Sequence, residues 1–319
     1  MPTPLARFRP DAQIAFAERL ARIEHVHLGA ALGDAVRHAD IQRLDAELSS
    51  FVPNERLARL AGFGLRGEAF FPCPLLLTAK PQLLGYYRLL FGISQKEFYR
   101  SLQRFKSMET SGTVTPAAAA GLQALCADLC ETAWELLEGL SDVSLSRIRD
   151  LQLLTYGPQL RGGRLNEIGQ AATLKVFNRI RAAIPDASVV EETAVRIVLT
   201  NSAGRRVTVA FSSDPDIAIS EVSGTSVINK VAIEIKGGTD VSNIHNRLGE
   251  AEKSHQKAKA KGFPEFWTII SASVDRTVAA RETPTTNRFY YLEKITDPGD
   301  REWEQFRDEL AVRLGLADS

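Results

Sequence analysis

The sequence predicts an α/β protein in two parts, a helical N-terminal subdomain over residues 1–150 and a mixed β-sheet flanked by helices over residues 151–319. Three observations carry that expectation. Up to about residue 148 the apolar residues recur at helical spacing, as in AFAERLARIEHVHLGAALGDAVRHA and AAAAGLQALCADLCETAWELLEGL. After GPQLRGGRLNEIG the pattern shifts to short β-rich runs separated by turn signals. The order helix, three or four strands, helix, strand then calls for a sheet with helices on both faces.

In chain order, Asn54 is a plausible N-cap for ERLARLAG and Gly62 its stop. FFPCPLLLTAKPQ, broken by prolines, is expected to be an extended connection. Ser94 followed by Glu97 fits a capping box at the head of the next helix. Residues 166–184 form an amphipathic helix with Asn166 as cap. AVRIVLT and RRVTVAF, joined by NSAG, read as a hairpin. IAI and VAIEI are the next strands, SNIHNRLGEAEKSHQKAKAKG a polar helix, FWTIISAS and RFYYLEKI further strands, and REWEQFRDELAVRL a terminal helix. No internal repeat interrupts this order.

Composition narrows the class. The chain has 319 residues, 44% hydrophobic and 24% charged, enough for a substantial core, and its formal net charge is zero. Three cysteines, Cys73, Cys126 and Cys130, show no disulfide-like spacing, which suits a reducing cytosol. Cys126 and Cys130 sit four apart in an apolar helix pattern and are expected in the core. MPTPLARFRPDAQ is not a signal peptide, and no apolar run has the roughly 20 residues a membrane span needs. A cytoplasmic protein without membrane contact is the expectation.

The chemistry concentrates in SDPDIAISEVSGTSVINKVAIEIKGGTD. Strand side chains alternate, so Glu234 and Lys236 share one face and Ile233 and Ile235 the other, the isoleucine face being the one to bury against a helix. Gly237 and Gly238 end the strand just beyond. Asp216 opens the preceding strand directly after Pro215, a residue suited to a strand's first position. If the two strands pair, Asp216 comes close to Glu234. Two carboxylates that close repel unless a cation lies between them, and an oxygen donor set selects a hard divalent ion, above all Mg²⁺. Lys236 beside such a centre would offset charge developing on a phosphodiester under attack. Asp214, one alternation earlier, is a rival to Asp216 or a further metal ligand. Glu250, His255 and Gln256 on the following helix are candidates for outer contacts to the site, with a solvated face the favoured reading for each.

Pro215-Asp216, an 18-residue step and then Glu234-Ile235-Lys236 in an apolar strand followed by a polar helix resemble the signature of the PD-(D/E)XK nucleases. That resemblance spans residues 160–272 and implies Asp216, Glu234 and Lys236 as catalytic residues. It also points to Glu167, on the first turn of the helix that precedes the sheet, where a site role is favoured over the alternative of merely complementing the helix dipole. LLLTAKPQLLGYYRLLFGISQKEFY, residues 75–99, is similar to a segment of restriction enzymes of the XcyI type, a group associated with cutting the palindrome CCCGGG. The resemblance implies double-stranded DNA as substrate, Mg²⁺ as cofactor, no nucleotide cofactor, and a homodimer, since a two-fold symmetric site is read by a two-fold symmetric protein. The helical subdomain would grip DNA or dimerise.

Reading bases calls for Arg or Lys against guanine edges. The candidates are Lys80, Arg88, Lys96, Arg161, Arg164, Arg276, Arg281 and Arg288, with RGGR and VDRTVAARETPTTNR favoured because small residues would let backbone approach DNA. KSHQKAKAKG suits phosphates. Tyr86 and Tyr87 are expected in the core, and His25 and His27, two apart in a helix, do not share a face.

Overall fold

A computed structural model describes residues 10–238 and 243–316. The chain divides into two compact units, residues 1–162 and 163–319. The division falls within one long helix, so the change in composition near residue 150 is not marked by a linker.

The first unit is helical. Its elements are α1 (Asp11–His27), α2 (Gly29–Arg37), α3 (Ile41–Phe51), α4 (Asn54–Ala61), α5 (Pro74–Ala79), α6 (Leu83–Leu90), α7 (Gln95–Ser101), α8 (Lys106–Ser111), α9 (Pro116–Gly139) and the first part of α10 (Leu145–Ala183). Pro53, not Asn54, is the cap of α4, whereas Gly62 does end it. The proline-broken stretch is not extended throughout: Pro74 takes the first position of α5, where a missing N–H costs nothing. The Ser94 hydroxyl accepts from the Glu97 N–H, the first half of the capping box. α6 is buried on every side. The Tyr86 and Tyr87 hydroxyls donate to the Ala69 and Glu68 carbonyls from inside the core. Cys73, Cys126 and Cys130 are free and buried in the same core.

The second unit holds β1 (Val189–Thr193), β2 (Arg196–Thr200), β3 (Arg206–Phe211), β4 (Ile217–Ser223), β5 (Ser226–Lys236), α11 (Ile244–Ala260), β6 (Glu265–Ile270), α12 (Arg276–Glu282), β7 (Arg288–Tyr291), α13 (Leu292–Thr296) and α14 (Arg301–Leu314). The strands form one sheet in sequence order, antiparallel from β1 to β5 and parallel from β5 to β7. A parallel neighbour needs a crossover, and α11 and α12 supply the two that this sheet requires. RFYYLEKI is strand only through Tyr291, after which α13 begins.

Alternation along β5 sorts the layers. Val231, Ile233 and Ile235 join Val176, Phe177 and Ile180 of α10 and Phe306 and Leu310 of α14 in one core. Ala232, on the other face, packs with Ala258 of α11. The sheet is therefore covered on both faces, as the sequence predicts, and Glu234 lies on the α11 side. Among the described residues no helix is long and apolar enough to cross a membrane.

Candidate active site

The site is built where β4 begins and β5 ends. Antiparallel pairing sets Ile217 opposite Ile233, which carries Asp216 alongside the end of β5. The Ile235 N–H donates to Asp216 Oδ2 at 2.7 Å, so the carboxylate is fixed by the backbone of the strand that bears Glu234 and Lys236. Lys236 Nζ lies 2.9 Å from Glu234 Oε1 and 3.6 Å from Oε2 of Glu250 on α11. The Ser254 hydroxyl, one helical turn beyond Glu250, donates to Glu234 Oε2 at 2.5 Å. The structure thus brings Asp216, Glu234 and Lys236 together, with Glu250 and Ser254 above them.

The electrostatics follow from this crowding. Burial, followed by the charge of Glu234, pushes the Asp216 carboxyl up to about 6. Burial alone would lower Lys236, but Glu234, with smaller help from Glu250 and Asp216, holds its ammonium above the ordinary lysine value. His255, wholly buried behind Ser254, accepts no charge readily: burial pulls it down to about 4, with Nε2 2.8 Å from the Thr268 hydroxyl.

A cavity of about 650 Å³ opens over this cluster. Asp216 and Lys236 line it, facing Asn166, Gly169 and Gln170 of α10 and Asn246, Arg247 and Glu250 of α11. The glycines after Lys236 are close-approach positions. A Cβ on Gly237 would stand 2.5 Å from Ala172 Cβ and 2.9 Å from the Ile168 carbonyl, so only glycine lets α10 pack there. Gly238 lies under the guanidinium of Arg247.

The donor set suits a hard cation. Asp216 and Glu234 offer oxygen only, and Asp216 is raised first by burial and then by the charge of Glu234, both of which a bound dication would offset. Among the described residues no group of three or more His, Cys, Asp or Glu could hold a metal ion. Two carboxylates fit Mg²⁺, which keeps much of its water and takes one or two carboxylates from the protein.

Other expectations need correction. Asp214 does not line the cavity: its Oδ2 pairs with Lys257 at 3.1 Å, and its carbonyl accepts from Lys261. Those two lysines are members of the basic stripe expected to meet phosphates. Asn166 is not a cap and Glu167 is not on a first turn, because α10 starts at Leu145 and runs through both glycines of RGGR. A dipole argument therefore has no purchase on Glu167, which is exposed beside Asn166 and Gln170. Arg88 cannot meet DNA. It is 2% exposed, and its Nε and Nη2 donate to both carboxylate oxygens of Glu109 while Nη1 donates to the Ile93 carbonyl.

The remaining basic candidates stand at surfaces. Lys80 pairs with Asp34, Arg276 with Glu302 and Arg288 with Glu309; Arg161 and Arg281 are exposed, and Arg164 is half-buried. Glu250 lines the cavity and His255 is in the core, so neither belongs to a merely solvated face. Arg247, Ser254, Asn243 and Asn246 were missed. Their signal was helical spacing: residues 243, 246/247, 250 and 254 share the face of α11 turned toward Lys236.

A seven-stranded mixed sheet between helices, with carboxylates and a lysine at the end of adjacent strands, is a restriction-endonuclease-like architecture. The model of the XcyI restriction endonuclease family matches residues 17–317. The chain is 47% identical over 308 residues to the type II restriction enzyme XcyI of Xanthomonas campestris pv. cyanopsidis, covering 93% of this chain and 92% of that one. It is 46% identical over 309 residues to the type II restriction enzyme Cfr9I of Citrobacter freundii, covering 94% and 92%. The chain belongs to the XcyI restriction endonuclease family.

Proposed function

We propose that this chain is a Mg²⁺-dependent type II restriction endonuclease with a PD-(D/E)XK site. It would cut double-stranded DNA at the palindrome CCCGGG, as a homodimer and without a nucleotide cofactor. The observation that supports this most directly is the meeting of Asp216, Glu234 and Lys236 at the ends of adjacent strands, beside a cavity that Asp216 and Lys236 line, in a member of this family. Asp216 and Glu234 would hold the ion. The chemistry it supplies is polarisation of a phosphoryl oxygen and a lowered pKa for the attacking water.

The protein's own groups do the rest. The Ile235 N–H fixes Asp216 and Ser254 fixes Glu234, so neither carboxylate must reorganise during reaction. Lys236 keeps its proton and presents a fixed positive charge to the cavity, where negative charge grows on the phosphoryl oxygens. Glu167, beside the α10 wall, is the candidate for one further polar contact. Arg161, Arg164, Arg276, Arg281 and Lys80 are the side chains proposed to meet the duplex.

Digestion of a sequenced plasmid with Mg²⁺, beside an EDTA control and Lys236→Ala, tests the reading. Discrete fragments that vanish in EDTA, and a rate at least about 10²-fold lower in the variant with DNA binding retained, are expected. End-sequencing gives the palindrome. A smear would replace this reading with a nuclease directed by DNA structure, and intact DNA that is still bound with a non-enzymatic DNA-binding protein.

A further inference from the structure

Arg247 is the cavity residue for which the pairs already described have no use. It lies on the same face of α11 as Glu250 and Ser254 and lines the cavity with Asp216 and Lys236. Its guanidinium is pressed onto the chain leaving β5: a Cβ on Gly238 would fall 1.9 Å from Nη1, 2.1 Å from Nη2 and 2.3 Å from Cζ. Its Nε is buried and has no hydrogen-bond partner. Arg88 and Arg313 are matched by Glu109 and Glu265, and Arg179, which also has a buried nitrogen without a partner, donates its Nε to the Ile295 carbonyl and lies over the Trp303 ring, away from this cavity. Among the described residues no carboxylate lies within ion-pair distance of Arg247.

Arg247 as a whole is partly exposed, but a buried guanidinium N–H without an acceptor is unfavourable, and it is relieved when an anion arrives. Apart from Arg247 itself, Asp216, Lys236 and Glu250, the cavity's polar lining is uncharged, with Asn166, Gln170, Asn243 and Asn246 among it. A guanidinium presents a planar fork that matches two oxygens of one phosphate, whereas an ammonium acts as a point charge. We infer that Arg247 is a phosphate-clamping residue that holds the scissile phosphodiester by its non-bridging oxygens, leaving Lys236 to act on the developing charge. This rests on the function proposed above.

The test is a chemical double-mutant cycle in equilibrium binding, with Ca²⁺ replacing Mg²⁺. Wild type and Arg247→Ala are each titrated with a short duplex bearing the sequence the wild type cuts. Each is also titrated with the same duplex carrying an uncharged methylphosphonate at the scissile position. Wild type is expected to bind the neutralised duplex about tenfold more weakly. Arg247→Ala should bind the ordinary duplex about tenfold more weakly and show no further penalty on the neutralised one. An equal methylphosphonate penalty in both proteins, or unchanged binding by the variant, overturns the assignment while the nuclease reading stands. Failure of the wild type to cut any duplex in Mg²⁺ is the separate outcome that removes the nuclease reading and this inference with it. If Arg247→Ala does not fold, Arg247→Gln, which keeps length and loses charge, is judged by the same criteria.

Discussion

Removing one carboxyl from the site should make the metal-free protein more stable. Asp216 sits with its carboxyl raised from an ordinary 3.8 to about 6, by burial first and then by Glu234. That gap corresponds to ~3 kcal/mol of differential interaction between the two protonation states. A carboxyl that binds its proton more tightly folded than unfolded gives greatest stability below the unfolded value. The stability is then lost as pH rises through the folded value near 6. At neutral pH the folded apo-protein therefore carries most of that ~3 kcal/mol as a penalty. Asp216→Asn deletes the charge while its side-chain oxygen can still accept from the Ile235 N–H.

The assay is urea unfolding in EDTA, followed by tryptophan fluorescence in a Trp134→Phe background. That change leaves Trp267 and Trp303, both packed in the sheet unit, as reporters. Asp216→Asn should be more stable by ~3 kcal/mol near pH 7.5, and the advantage should shrink to ~1 kcal/mol near pH 4.5, where most of the linkage is gone. Added Mg²⁺ should stabilise the parent and leave the variant nearly unchanged, since only the parent keeps both carboxylates. An advantage that is absent at neutral pH, or that does not fall on acidification, would refute the account of a carboxylate penalised by burial and by its neighbour.

Two further outcomes follow from other contacts. Ser254→Ala removes the 2.5 Å hydrogen bond to Glu234 and should weaken Mg²⁺ or Ca²⁺ binding by about 10-fold or more, read by calorimetry, with little change in melting temperature. Glu109→Ala strands the buried Arg88 charge and breaks the bonds from Gln95 and Tyr99; it should destabilise the helical unit by ~3–5 kcal/mol in denaturant unfolding, and a loss below 1 kcal/mol would contradict the reading of Arg88 as a core cation.

The sheet unit was legible because its signals are local. Alternation in VAIEIK placed Glu234 and Lys236 on one face, and the apolar run beginning at Ile217 set the pairing that brings Asp216 to Ile235. Both follow from a period of two, which tertiary context cannot shift without turning the isoleucines outward. The helix of RGGR was not legible in the same way. Two glycines together lower helix propensity by roughly 2 kcal/mol, yet the surrounding helix continues through them, so local preference gave the wrong boundary.

Arg88 shows why charge type alone could not locate the DNA-facing side chains. In LLGYYRLL the arginine stands amid residues that are all buried, and the carboxylate that makes this tolerable, Glu109, lies 21 positions away. A sequence window long enough to show the apolar surroundings is still too short to show the partner. The converse holds on α11, where Arg247 sits in an unremarkable polar helix and its distinction is the missing partner. Helical spacing from Asn243 through Ser254 can show that these residues share a face, but only the contacts of Gly238 show that one of them is a cation pressed into the cavity without an anion. Matched and unmatched charge is a property of the folded neighbourhood, and at this site it separates the arginine that holds the core together from the one placed to take a phosphate.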